Sequence, residues 1–208
     1  MTFATWLAFA AASAVMLMIP GPTVLLVVSY ALTQGRRVAL AMAAGVALGD
    51  FTAMTLSLAG LGALLLTSAT LFTVLKWLGA AYLVYLGIRL WRAEPHLQAI
   101  AASPEQNASR GIFLHAFVVT ALNPKSIAFF VAFVPQFIDH EASLLPQLAI
   151  MEATFVSLAL LNALAFAFAA DRLRSRIRQP WMLKWFNRAG GSCLIGVGAA
   201  TATLSRNG

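Results

Sequence analysis

Met18-Ile19-Pro20-Gly21-Pro22-Thr23 sets two prolines and a glycine inside an apolar run that otherwise reads as one helix from about Phe3 to Leu32. Each proline lacks an amide donor, and its ring clashes with the carbonyl four residues earlier, so the carbonyls of Met16 and Met18 lose their ordinary helical partners. In hydrocarbon an unpaired backbone group is costly, so such a break is expected only where it is buried in protein or lines a polar cavity. Pro20, Gly21, Pro22 and Thr23 are therefore expected at the centre of a site.

The rest of the chain has the composition of an integral membrane protein. Of its 208 residues, 61% are hydrophobic and only 10% charged, against about 25% charge in a soluble domain. At about 20 residues per crossing there is room for roughly six helices and almost no soluble domain. A net charge of +7 is compatible with nucleic-acid binding, but the placement of the basic residues points to membrane topology instead. The single cysteine, Cys193, excludes an internal disulfide, and His96, His115 and His140 fall in or beside different loops, so no metal site or other cofactor is called for. The apolar N-terminus lacks a basic leader region and runs on past Ala12-Ser13-Ala14, so it reads as a retained helix.

In chain order the predicted helices run from about Phe3 to Leu32, Val38 to Leu66, Leu71 to Trp91, Gly111 to Phe133, Leu145 to Ala169, and Ala189 to Leu204. The fourth is interrupted by Asn123-Pro124-Lys125, and Glu94 to Arg110 is the one long polar loop. The chain thus reads as a single transporter-like domain, 1–208, made of halves 1–93 and 111–208 joined by linker 94–110. Gly45-x3-Gly49 in the second helix permits close backbone approach, either within one subunit or in a homodimer. Phe129, Phe130 and Phe133 form either an apolar wall for a bound side chain or a lipid-facing stripe.

Eleven of the 14 lysines and arginines lie after the odd-numbered helices: Arg36, Arg37, Arg89, Arg92, Arg110, Arg172, Arg174, Arg176, Arg178, Lys184 and Arg188. By the positive-inside rule those loops are cytoplasmic and both termini are outside, with Trp6, Tyr30, Trp91, Trp181 and Trp185 as interfacial aromatics. The stretch Arg172 to Arg188 is either an interfacial helix on anionic lipid or a loop whose charge sets topology.

Sliding the chain against itself by 102 residues aligns Pro22 with Pro124, Gln34 with Gln136, Asp50 with Glu152, and Thr52 with Thr154. A shift of 111 aligns Gly79, Leu83 and Gly87 with Gly190, Leu194 and Gly198. Three helices per half is an odd number, so the halves enter the membrane from opposite sides. The expected fold is all-α, six membrane helices in a 3+3 inverted repeat with helices 1 and 4 broken near the midplane, the pattern of a secondary transporter. Pro22 and Pro124 are expected to face each other across the pseudo-two-fold axis.

A carboxylate at the bilayer centre costs at least ~2.5 kcal/mol, so Asp50 and Glu152 should face the bundle interior or water. Either they handle a proton, a cation or a substrate ammonium group, or they form fixed ion pairs with Lys76 and Lys125. A carboxylate that exchanges a lysine for a proton would do both. Lys125, at the second break, could receive a carboxylate, while Asn123 and Thr23 offer an amide and a hydroxyl.

These residues resemble the LysE/RhtB translocators, small exporters of amino acids including lysine, threonine, homoserine and leucine. The resemblance covers nearly the whole chain and is carried by Pro20-Gly21-Pro22, Gly45-x3-Gly49-Asp50, Lys76-Trp77-Leu78-Gly79-Ala80-Ala81-Tyr82-Leu83 with Tyr85-Leu86-Gly87, and Asn123-Pro124-Lys125 with Phe129-Phe130 and Phe133-x-Pro135-Gln136-Phe137. Where the family commonly has Asn after Pro-Gly-Pro, this chain has Thr23, which removes an amide from the first break. The resemblance implies efflux of a neutral or basic amino acid or a close derivative in exchange for protons. The chain is therefore read as a bacterial inner-membrane exporter of a small zwitterion, and, with no serine and histidine at comparable depth and no metal motif, not as an enzyme. The alternative is a channel or exporter for an inorganic cation, for which the chain supplies few carboxylates and no His or Cys cluster.

Overall fold

The computed structural model describes residues 1–19, 21–34, 38–93, 108–139, 141–172 and 180–204, and no strand occurs among them. Eight α-helices follow one another: α1 (Phe3–Met18), α2 (Pro22–Gln34), α3 (Ala39–Thr67), α4 (Ala69–Arg92), α5 (Ala108–Ala121), α6 (Pro124–Ala132), α7 (Leu144–Arg172) and α8 (Pro180–Leu204). A short 3-10 turn, Val134–Phe137, follows α6. Pro20, His96, His140, Arg206 and most of the linker, 94–107, lie outside the described residues.

Local chemistry explains where these helices begin. Thr2 and Ser68 cap α1 and α4, each accepting a hydrogen bond from the amide three residues on at 3.2 Å. Pro22 and Pro124 are the first residues of α2 and α6, a position where the missing amide would have no helical partner anyway. Each proline therefore starts a new helix rather than damaging the interior of an old one. The axes bend by 58° between Phe3–Met18 and Pro22–Ala31, and by 43° between Ser109–Ala121 and Pro124–Phe137.

Ala39–Gly62, Thr73–Arg92 and Leu144–Ala170 are each long and apolar enough to cross a membrane. Counting each bent pair as one span brings the number to five. The chain is a multi-pass helical membrane protein. The last helix departs from expectation because it starts at Pro180 rather than Ala189. Residues 180–188 of the basic stretch are thus its first turns, neither a loop nor a separate interfacial helix, while 173–179 lie outside the described residues. Glycines, threonines and the Asn187-Arg188 pair dilute its apolar character.

Small residues let the helix backbones touch, as they must where lipid offers no hydrophobic drive for helix association. A Cβ on Gly49 would lie 2.8 Å from the Phe117 carbonyl, and one on Gly45 would run into that of Phe113. The glycine pair is thus spent inside the subunit, holding α3 against α5. On the other side of the bundle α4 and α8 cross in the same manner. A Cβ on Gly87 would meet the Gly191 carbonyl at 2.6 Å and Ile195, and one on Gly198 would meet the Ala80 carbonyl at 2.8 Å and Val84. These two sets of contacts map onto each other at a shift of 111, with the helices antiparallel.

Several side chains differ from expectation. Phe129 and Phe130 are fully buried and Phe133 nearly so, and they stack on one another, on Phe155 and on Phe137. They are core, neither a lipid-facing stripe nor a pocket wall. Tyr30 is buried and shares a 2.9 Å hydrogen bond with His115 on α5, so it is no interfacial anchor. Trp91, Trp181 and Trp185 are exposed, with Arg188 stacked on Trp91 at 5.0 Å.

Candidate functional site

The two helix breaks meet in the middle of the bundle, and their side chains satisfy one another. Asn123 caps α6 through its own side chain, whose Oδ1 accepts from the Lys125 amide at 3.1 Å. Its Nδ2 then donates across to the Thr23 hydroxyl at 3.2 Å. Thr23 also shares a hydrogen bond with the Thr120 hydroxyl, 3.3 Å away. The amide of the second break is thereby tied to the hydroxyl of the first.

The carbonyls stranded at the end of α1 find donors from the second half of the chain. Lys125 Nζ donates to the Met16 carbonyl at 3.1 Å and to that of Ile19 at 2.9 Å. Asn162 on α7 donates to the intervening Leu17 carbonyl at 3.1 Å. A cation at the C-terminal end of a helix also meets the negative end of its dipole. Gly21 leaves room for this side chain, since a Cβ there would come within 3.3 Å of Nζ.

Asp50 projects from α3 into the same place and is 1% exposed. Lys125 is the cation facing it, and the Ser126 hydroxyl stands beside its carboxylate. Its second oxygen, Oδ1, has no protein partner. Thr23, Asp50, Asn123, Lys125, Ser126 and Asn162 share a small cavity whose apolar wall includes Val27, Phe155 and Phe166. Water centres can occupy about 20 Å³ of it, which is space for one water and too little for an amino acid. The cavity is narrow, and its polar groups crowd around that space.

Not every residue singled out in the sequence comes here. Pro22 and Pro124 are exposed and do not line the cavity; what meets across the breaks is Gly21 against Lys125 and Thr23 against Asn123. Glu152 is half-buried off the cavity and accepts a hydrogen bond from Thr55 on α3. Lys76 is half-buried on α4, also off the cavity, and Pro20 lies outside the described residues. Conversely Asn162 and Ser126 belong to the site without having been singled out. Asn162 carried a signal, an amide in an otherwise apolar membrane helix, whereas Ser126 carried none. Among the described residues no three of His, Cys, Asp and Glu come together.

Residues 14–205 match the family described as LysE type translocator. The chain belongs to that family. The LysE type translocator is 34% identical over 203 residues to a homoserine/homoserine lactone efflux protein of Salmonella typhimurium, with 98% of each chain covered. It is also 35% identical over 198 residues to an uncharacterized membrane protein of Vibrio cholerae, covering 95% of this chain and 96% of the other. A Bacillus subtilis membrane protein is 29% identical over 204 residues, covering 94% and 97%. No solved structure matches the chain. This LysE type translocator is accordingly a membrane transporter and not an enzyme.

Proposed function

We propose that the protein exports a small amino acid or close derivative across the bacterial inner membrane by proton antiport. The observation that carries this reading is the small cavity at the two helix breaks, where Asp50 and Lys125 are buried together with hydroxyl and amide groups. Opposite charges held at interrupted helices suit a zwitterion. The relative's two named compounds sharpen the substrate class. Homoserine and its lactone share an α-ammonium group, but the lactone has no free carboxylate. The common handle is the ammonium, so the site is expected to read the amino end of the substrate rather than a free carboxylate.

In this reading the chain is one transporter domain, 1–208, built as a six-span 3+3 inverted repeat with linker 94–110. Cytoplasmic basic loops place both termini outside. Support comes from contacts that repeat at the shifts seen in the sequence: Thr23 against Asn123 maps onto Lys125 against Gly21 at 102, and the glycine crossing of α4 and α8 repeats at 111. The two halves rock about the crossed breaks to expose the cavity alternately to each side. Thr23, Asn123 and Lys125 face the substrate, and Asp50 takes the proton on the return. Glu152 and Lys76 stand off the cavity and serve at most outside the first contact.

Proteoliposomes with an imposed pH gradient test the coupling. Wild-type protein moves homoserine in response to the gradient, and Asp50→Asn loses that response. A variant that keeps full proton dependence removes Asp50 from the mechanism.

A further inference from the structure

The Lys125 ammonium is held in a seat it does not need for its own helix. Two carbonyls at the end of α1, Met16 and Ile19, converge on Nζ at 3.1 and 2.9 Å. A helix C-terminus with unpaired carbonyls is a favourable place for a cation, and any primary ammonium brings three donors to it. The seat lies on the small cavity, and on that cavity Asp50 keeps one oxygen without a protein partner although it is almost fully buried. One buried ammonium thus has two acceptor groups within the site, and only the carbonyls are in use.

We propose that the Met16 and Ile19 carbonyls are the binding site for the substrate's ammonium group, and that Lys125 occupies that site as an internal stand-in while no substrate is bound. The inference rests on the amino-acid reading above and deepens it by naming the atoms that recognise the substrate. When substrate enters, its ammonium replaces that of Lys125 on the two carbonyls. Lys125 then turns onto the free Oδ1 of Asp50, so neither charge is left unpaired inside the membrane. Gly21 is part of the device, because a side chain there would press on Nζ. The ligand class that follows is an amine whose ammonium keeps at least two N–H donors for the two carbonyls, with or without a neighbouring carboxylate.

The test uses purified full-length protein in proteoliposomes, with labelled homoserine counterflow competed by four compounds: homoserine, its lactone, N-methylhomoserine and N,N,N-trimethylhomoserine. The trimethyl compound keeps the charge and loses every N–H donor, while the monomethyl compound controls for bulk. The trimethyl compound is expected to compete at least about 10-fold more weakly than homoserine, the N-methyl compound only slightly so. Lys125→Met is expected to lower the half-saturation concentration for homoserine and for the lactone alike, by about 10-fold, because the site is no longer self-occupied. Gly21→Ala shifts both in the same direction by less. Equal competition by the trimethyl compound overturns the inference. So does a Lys125→Met protein that weakens for homoserine while its lactone value is unchanged, the mark of a carboxylate anchor. If Lys125→Met does not fold, the competition series on wild-type protein decides. A wild-type protein that exchanges neither homoserine nor any amino acid overturns the transport reading and this inference together.

Discussion

The two helix breaks share a backbone plan and differ in chemistry. Each begins a new helix on a proline, Pro22 or Pro124, and the residue after it points across to the other break. After the first proline that residue is Thr23, whose hydroxyl reaches Thr120 and Asn123. After the second it is Lys125, whose longer side chain reaches two carbonyls of α1. Before the second proline Asn123 caps its helix, whereas Gly21, at the equivalent place, has no side chain to do so. The second half therefore supplies donors for both breaks. A shared backbone plan does not imply equal work, and it is the longer, charged side chain that connects a broken helix to Asp50.

Replacing single residues on either side should expose this inequality. Lys125→Met leaves two buried carbonyls without a donor and Asp50 without its cation, and is expected to lower stability by about 3 kcal/mol in thermal unfolding in lipid nanodiscs. Asn123→Ala removes a helix cap and the link to Thr23 together, for a loss of about 2 kcal/mol by the same measurement. Thr23→Val removes one hydroxyl that two neighbours share, and about 1 kcal/mol is expected. A Thr23→Val protein as unstable as Lys125→Met would mean that the breaks are equivalent after all. Glu152→Gln, away from the cavity, should change half-saturation for homoserine by less than about 2-fold; a larger change would extend the site along α7.

Much of this arrangement is legible in the sequence. Pro-Gly-Pro and Asn-Pro-Lys announced the breaks because proline cannot donate its amide, and the stranded carbonyl of Met16 was foreseeable for the same reason. Asp50 stood out because a carboxylate in an apolar helix needs a reason to be there. Asp50 and Glu152 looked alike in the sequence, yet one is buried on the cavity and the other is bonded to Thr55 outside it. A shift of one residue on a helix turns a side chain by about 100°, and periodicity alone does not say which neighbour is waiting there. The phenylalanines of α6 were ambiguous because core and lipid are equally apolar surroundings.

The amino-acid order alone sets membrane residence, the helical runs and the two interruptions, since hydropathy and the missing proline amide act locally along the chain. Which groups complete those interruptions is a matter of tertiary contact. Lys125 lies 109 residues from Met16 and 106 from Ile19, and Asn162 lies 145 from Leu17. Only the packing of α3 on α5, and of α7 along α1 and α2, brings those donors to the stranded carbonyls. The physical reason is that a buried polar group must be satisfied by whatever the fold places beside it, and hydrogen bonds reach about 3 Å in space whatever the distance along the chain.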